Sequence, residues 1–201
     1  MASRYGSEVE IDPSAFVHDG VLLYGRVRVR AGASLWPHVV VRAELAHVDI
    51  GQQANIQDFV MIHVGYTEPT VIGAFCSVTH HCTIHGASIG DNCLIGVNAT
   101  LMDGCEIGAN SIVAGGAFLK ERTVIPPNSI VMGAPGKAVK TRNNWIANRF
   151  NARLYARNAR AYMRGDHRAW SGPEFERFCK DEMEALRAEF STLVAAGKEQ
   201  A

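Results

Sequence analysis

Aliphatic residues recur along this chain at every sixth position. Ile89, Ile95, Leu101, Ile107, Val113, Leu119, Ile125 and Val131 keep that spacing without a break. Upstream, Ile84, Val78 and Ile72 continue it after a one-residue deletion, and Ile62, Ile56 and Ile50 after a four-residue insertion. Val41, Leu35, Val29, Leu23 and Val17 follow beyond a further insertion of three. Glycine comes directly after the aliphatic residue at 90, 96 and 108, and a Cys, Ala, Ser or Thr stands at the fourth place after many of them. A helix cannot keep one face buried at a period of six, whereas short strands that alternate in and out between corners can. The pattern therefore predicts a solenoid, with the insertions at 43–48 and 65–70 thrown out as corner loops.

Hexapeptides of this kind resemble the left-handed parallel β-helix, in which three hexads make one triangular coil and coils stack at ~4.8 Å. After Gly136 the six-residue pattern stops. Ile146, Phe150, Leu154 and Ala161 mark a helical face over about 141–164. Gly165 and the start signal Ser171-Gly172-Pro173 then introduce a second helix ending near Val194. The expected fold is an all-β left-handed parallel β-helix over residues 1–136 with a C-terminal α-helical hairpin over 137–201, packed on the solenoid or on a neighbouring subunit.

Composition adds a few constraints. A chain of 201 residues with 47% hydrophobic content can bury a real core. Its five cysteines include no C-x-x-C pair, which argues against a disulfide framework and points to a reducing, cytoplasmic setting. Cys76, Cys82, Cys93 and Cys105 all occupy the small fourth place of a hexad and are expected in the core. The N-terminal stretch shows neither a signal peptide nor a membrane span, so no membrane partner is expected. The formal net charge of +0 hides a basic tail, with thirteen Lys and Arg against eight Asp and Glu from Lys137 onward. Arg149, Arg153, Arg157, Arg160 and Arg164 share one helical face, while Glu174, Glu176, Asp181, Glu182, Glu184 and Glu189 lie on the second helix. Pairing within the hairpin or between subunits accounts for these charges better than nucleic acid does.

The repeat register also arranges the histidines. The hexads opening at Val41, Ile62 and Ile84 fall on one face of successive coils, and the next residue in each, Arg42, His63 and His85, points outward. Imidazoles on backbones ~4.8 Å apart can reach one ion at the ~2.0–2.1 Å of a Zn–N bond. Asp58 and His80 stack likewise near the preceding corner. A convex prism does not aim two faces at one point, but threefold association would let His80 of one chain meet His63 and His85 of another. The expected assembly is a homotrimer with metal sites at its subunit interfaces, each leaving a fourth position open, which is the mark of a catalytic site.

The run Asn55-Ile-Gln-Asp-Phe-Val-Met-Ile-His63, followed by His80-His-Cys-Thr-Ile-His85-Gly, is similar to the motif of the γ-class carbonic anhydrase family. The likeness covers roughly residues 17–140. It implies His63, His80 and His85 as metal ligands, Gln57 as the residue orienting the metal-bound water or bicarbonate, and Arg42, Glu44 and Asp58 as a subunit-interface ion network. It implies a metal-dependent hydratase in which metal-bound hydroxide attacks a small substrate, carbon dioxide, to give bicarbonate. Zn²⁺ is the default ion, with Fe²⁺ or Co²⁺ also compatible with a His₃ site. Two departures stand out. The family's Arg-Gly-Asp is Arg42-Ala43-Glu44 here, and the long acidic loop carrying a proton-shuttling glutamate is missing, which leaves Glu68 and His81 as substitutes. A metal-dependent hydrolase of thioesters or other small acyl compounds is the alternative on the same ligand set, followed by an acyltransferase and a non-catalytic assembly subunit.

Overall fold

The computed structural model describes residues 5–199. The expectation of no signal peptide at residues 1–4, and the outer ends of the two segments at 1–4 and 200–201, lie outside the described residues. The hexads wind into a left-handed parallel β-helix of about seven turns, followed by two helices. Successive coils pair in parallel with the repeat in register, as in the column Ile62↔Ile84↔Leu101↔Leu119. Eighteen of the nineteen repeat aliphatics are buried at 5% exposure or less, and Val17, in the first coil, is half-buried. Each such side chain contributes about 1.5–3 kcal/mol of transfer free energy. The four core cysteines fill the gaps between rungs and are fully buried. Corners need left-handed backbone, which the sequence meets in part with Asn92, Asn98, Asn110 and Asn128, all at positive φ.

The three faces of the prism differ in what they turn outward. The first comprises Phe16–Val17, Ser34–Leu35, Asn55–Ile56, Ser77–Val78, Leu94–Ile95, Ile112–Val113 and Ser129–Gly133. It is covered by helix α1, Trp145–Tyr162. The second comprises the opening parts of Leu22–Val29 and Val40–Ile50, then Met61–His63, Thr83–His85, Thr100–Leu101 and Phe118–Leu119. It is bare, and its outward column Leu22, Val40, Met61, Thr83, Thr100 and Phe118 carries no charge. The third comprises Val9–Ile11, the closing parts of the two long strands, Thr70–Ile72, Ser88–Ile89, Glu106–Ile107 and Val124–Ile125. It presents an ionic ladder in which Glu10 pairs Arg28 at 2.7 Å and Asp49 pairs Arg30 at 2.5 Å.

One expected loop is instead a strand. The insertion at 43–48 lies inside Val40–Ile50, which turns the corner without leaving the sheet. Ala46 and Val48 still point inward, and a register slip against the preceding coil, between Gly25 and Val27, absorbs the extra residues. The insertion at 65–70 does loop out, re-entering the sheet at Thr70.

The first helix starts at Trp145 rather than 141, because Gly136–Thr141 folds back as a strand antiparallel to Ser129–Gly133. Helix α1 buries Asn148, Ala152, Ala156 and Ala159, and its Tyr155 and Tyr162 pack edge-on against Trp36 of the solenoid at 5.6 and 4.9 Å. The outward residues beneath it, Ser34, Asn55 and Ser77, are small and fully buried. The second helix, α2, spans Pro173–Ala195 and rests on α1 through Leu186 and a Trp145–Phe190 ring contact at 5.5 Å. The charges on the two helices are shared between them, through Arg157–Glu174 at 3.1 Å and Arg153–Glu182 at 3.6 Å. Arg149 lies 3.5 Å over the Phe75 ring. No described helix is long and apolar enough to cross a membrane.

Candidate metal centre

His63 and His85 leave adjacent coils of the bare face as Cα partners in a parallel ladder. Their rings stand 4.9 Å apart, and His63 Nδ1 faces His85 Nε2 at 3.0 Å. Two imidazole nitrogens on a tetrahedral zinc at ~2.0–2.1 Å stand about 3.3 Å apart, so this pair fits half of such a coordination shell. The far nitrogen of each ring is backed by a carboxylate: His63 Nε2 lies 3.2 Å from Glu44 Oε2, and His85 Nδ1 lies 2.6 Å from Asp103 Oδ1. Arg42 stands beside His63, with Nη2 3.0 Å from Nε2 and Nε 3.5 Å from Glu44.

His80 sits at the opposite edge of the bare face, at the corner where the chain arrives from the covered face. Its Nδ1 lies 3.1 Å from Asp58 Oδ2. Among the described residues of one chain, no group of three or more His, Cys, Asp or Glu side chains is placed to hold a metal ion. One chain presents a pair of imidazoles and a single imidazole at opposite edges of one bare face, whose central outward column carries no charge. Each of the three imidazoles has a carboxylate beside one ring nitrogen, but in His63 that nitrogen, Nε2, lies closer to the Arg42 guanidinium, which can only donate, at 3.0 Å.

The remaining candidates fall beside one or other half. Gln57 is buried behind the His80 corner and donates from Nε2 to Asn55 Oδ1 at 2.9 Å. Asn55 continues to Ser77 Oγ at 2.8 Å, so within one chain Gln57 belongs to a polar ladder between coils. His81 occupies a left-handed corner at φ 60° and stacks on Phe59 at 5.0 Å, which stacks on His38 at 4.9 Å. Its ring is exposed next to the single-imidazole half. Glu68 lies in the 65–70 loop beside the two-imidazole half, where the backbone amide of Thr67 holds its carboxyl below the usual range. Arg42 and Asp58 form no ion pair with one another among the described residues, because they stand at opposite edges of the face.

Two features escape the sequence. Asp103 is one: counting coils from the Ile84↔Leu101 pairing puts Met102 next to His85, yet it is Asp103, one residue on, that meets the ring. The other is a recess of about 390 Å³ beside the His80 corner, lined by Trp36, Asp58, Tyr155, Tyr162, Arg168 and Trp170 among others. Burial, with the Asp58 charge nearby, pushes the Tyr155 phenol up to about 12.

Comparisons with known proteins bear on the family. The bacterial transferase hexapeptide (six repeats) model matches residues 86–121. A protein of Methanocaldococcus jannaschii named a probable carbonic anhydrase is 46% identical over 130 residues, which are 65% of this chain and 82% of that one. The carbonic anhydrase of Geobacillus kaustophilus is 36% identical over 135 residues, 67% of this chain and 74% of that one. Among solved structures, a hexapeptide transferase family protein from Anaplasma phagocytophilum superposes with a TM-score of 0.73 at 26% identity, covering 77% of this chain and 92% of that one. The stacked histidines, the hexapeptide coils and these relatives together place the chain in the γ-class carbonic anhydrase family of hexapeptide-repeat proteins.

Proposed function

We propose that this protein is a metal-dependent carbon dioxide hydratase acting as a homotrimer, with His63 and His85 of one chain and His80 of a second as ligands. The observation that carries the proposal is the imidazole pair and the single imidazole on opposite edges of one bare face, with Asp103 and Asp58 beside the His85 and His80 rings. Cyclic threefold packing through that face brings the unlike edges together and closes on itself. The relatives named as carbonic anhydrases support the same chemistry.

A metal of this ligand type, when bound, lowers the pKa of water to about 7 and so supplies hydroxide at neutral pH. The residues of the chain do the rest. Asp58 and Asp103 orient the His80 and His85 rings, and Arg42 with Glu44 ties the interface. Gln57, whose Nε2 is engaged by Asn55 Oδ1, is the amide that orients the water or bicarbonate at the site. His81 and Glu68 are the titratable side chains near the two halves, and between them they export the proton. Zinc and ferrous iron are both suited to three imidazoles.

One observation favours a second reading. The recess beside His80 is about 390 Å³, on the order of a dozen water volumes. That is far more room than carbon dioxide needs and within the range of small organic ligands. It would suit a hydrolase acting on a thioester or other small acyl compound with the same hydroxide.

Stopped-flow carbon dioxide hydration, run aerobically with zinc and anaerobically with ferrous iron, tests the first reading. The expected result is a metal-dependent rate in at least one form, lost in His80→Ala together with the metal while the subunit fold persists. No rate above buffer in either form rejects it. Metal-dependent thiol release from acyl-coenzyme A in that same preparation would then establish the second. Absence of stoichiometric metal would instead favour acyl transfer by a single imidazole base.

A further inference from the structure

We infer that Asp103 is the positioning residue that fixes which nitrogen of His85 is offered to a metal. The inference rests on the reading of His85 as a ligand and adds to it a residue outside the ligand motif. Asp103 comes from the coil after His85, at the corner between the bare and the charged faces. Its Oδ1 accepts the His85 Nδ1 proton at 2.6 Å, the shortest of the three carboxylate–imidazole contacts. With that proton held, the lone pair of the neutral ring is confined to Nε2, the atom that faces His63 Nδ1 at 3.0 Å.

The surroundings are shaped to let this carboxylate in. A Cβ on Gly86, which sits at φ +57°, would lie 2.3 Å from Asp103 Oδ1, and a Cβ on Gly65 would lie 2.7 Å from the same oxygen. Any side chain at either position would push Asp103 off the imidazole. The backbone locks the same corner, with Gly104 N–H donating to Gly86 C=O at 2.7 Å and Gly86 N–H donating to His63 C=O at 3.3 Å. Thr70 Oγ1 donates to that His63 carbonyl at 2.6 Å. The 65–70 loop, the corner after His85 and the corner at Asp103 therefore meet around one carboxylate.

The test uses the full-length protein and the variants Asp103→Ala and Asp103→Asn. Long-range ¹H–¹⁵N correlation of the imidazoles, recorded on metal-free protein at a pH where the ring is neutral, reads the tautomer directly. Wild type should show His85 with its proton on Nδ1. Asp103→Ala should show a mixture, and Asp103→Asn, whose Oδ1 can still accept the bond, should keep the wild-type form. Zinc affinity by chelator competition should fall about 10- to 100-fold in Asp103→Ala and by less in Asp103→Asn, with the melting temperature of the metal-free proteins unchanged. An unaltered His85 tautomer in Asp103→Ala would overturn the inference. So would unaltered zinc affinity in Asp103→Ala, or an affinity loss that merely tracks a loss of folded protein. A wild type that binds no zinc would defeat the ligand reading, and the metal-free tautomer comparison would still decide the role of Asp103.

Discussion

At the scale of single residues, position within the hexad decides chemistry. Four of the five cysteines sit at the small fourth place and are fully buried, with their thiols directed at carbonyls of the next coil, as from Cys82 Sγ to Gly96 O at 3.0 Å. Burial pushes the Cys82 thiol up to about 11 and raises Cys76 and Cys105 as well, so their reactive thiolate forms are scarce at neutral pH. Cys179, on α2, is half-buried. A chromogenic disulfide reagent at pH 8 should therefore titrate one thiol promptly in the native protein and all five in denaturant. Prompt reaction of two or more native thiols would mean that the coils open far more readily than this packing allows. The cysteines were legible because hexad phase alone assigns them inward, and the pairing of His63 with His85 was legible for the same reason. Asp103 was not, since phase counting pairs His85 with Met102 and says nothing of the residue after it, at the corner.

At the scale of elements, α1 shows what periodicity conveys and what it omits. Apolar spacing locates both helices to within a few residues, yet of the residues it marks only Ala161 is fully buried, while Ile146, Phe150 and Leu154 are half-buried. The buried stripe of α1 includes Asn148, Ala152, Ala156 and Ala159, suited to close approach, and Asn151 beside it donates to Ser77 Oγ at 2.8 Å. Asn148 Nδ2 donates to Asn92 O at 2.9 Å and Ser111 O at 3.2 Å, which ties the helix to two corners of the coil stack. Hydrophobicity cannot reveal a stripe of small and amide residues, because its value lies in fit against Ser34, Asn55 and Ser77. Ala152 is fully buried in that contact. Ala152→Leu should cost about 1–3 kcal/mol through overpacking, lowering Tm by several degrees at about 2–4 °C per kcal/mol for a chain of this size. Ala188→Leu on the exposed side of α2 should leave Tm in place, and equal Tm values for the two variants would mean that α1 is not docked as described.

At the scale of the whole molecule, the three faces form a division of labour that the six-residue period does not display, since all three share one inward pattern. Only the outward columns tell them apart. The column beginning with Glu10, Arg28 and Asp49 is at home in water. The column of Ser34, Asn55 and Ser77 is roofed by α1. The column from Leu22 to Phe118 is uncharged and uncovered, with Leu22 43% and Phe118 38% exposed at its two ends, and Tyr24 49% exposed beside it. A face without charge between two half-sites argues for burial against further copies of the chain, and the same substitution placed on different faces should then behave differently. Thr100→Glu puts a carboxylate at the centre of the bare face. An isolated chain tolerates it because the position is partly exposed, whereas an interface there would bury an unpaired charge at a cost of several kcal/mol. Val124→Glu, on the charged face, buries nothing. Light scattering after size exclusion should give a trimer mass for wild type and Val124→Glu and a monomer mass for Thr100→Glu. All three should share one far-ultraviolet spectrum, and the metal content should vanish with the trimer. A Thr100→Glu protein that stays trimeric would move the interface to another face, and with it the meeting point of His80 with His63 and His85.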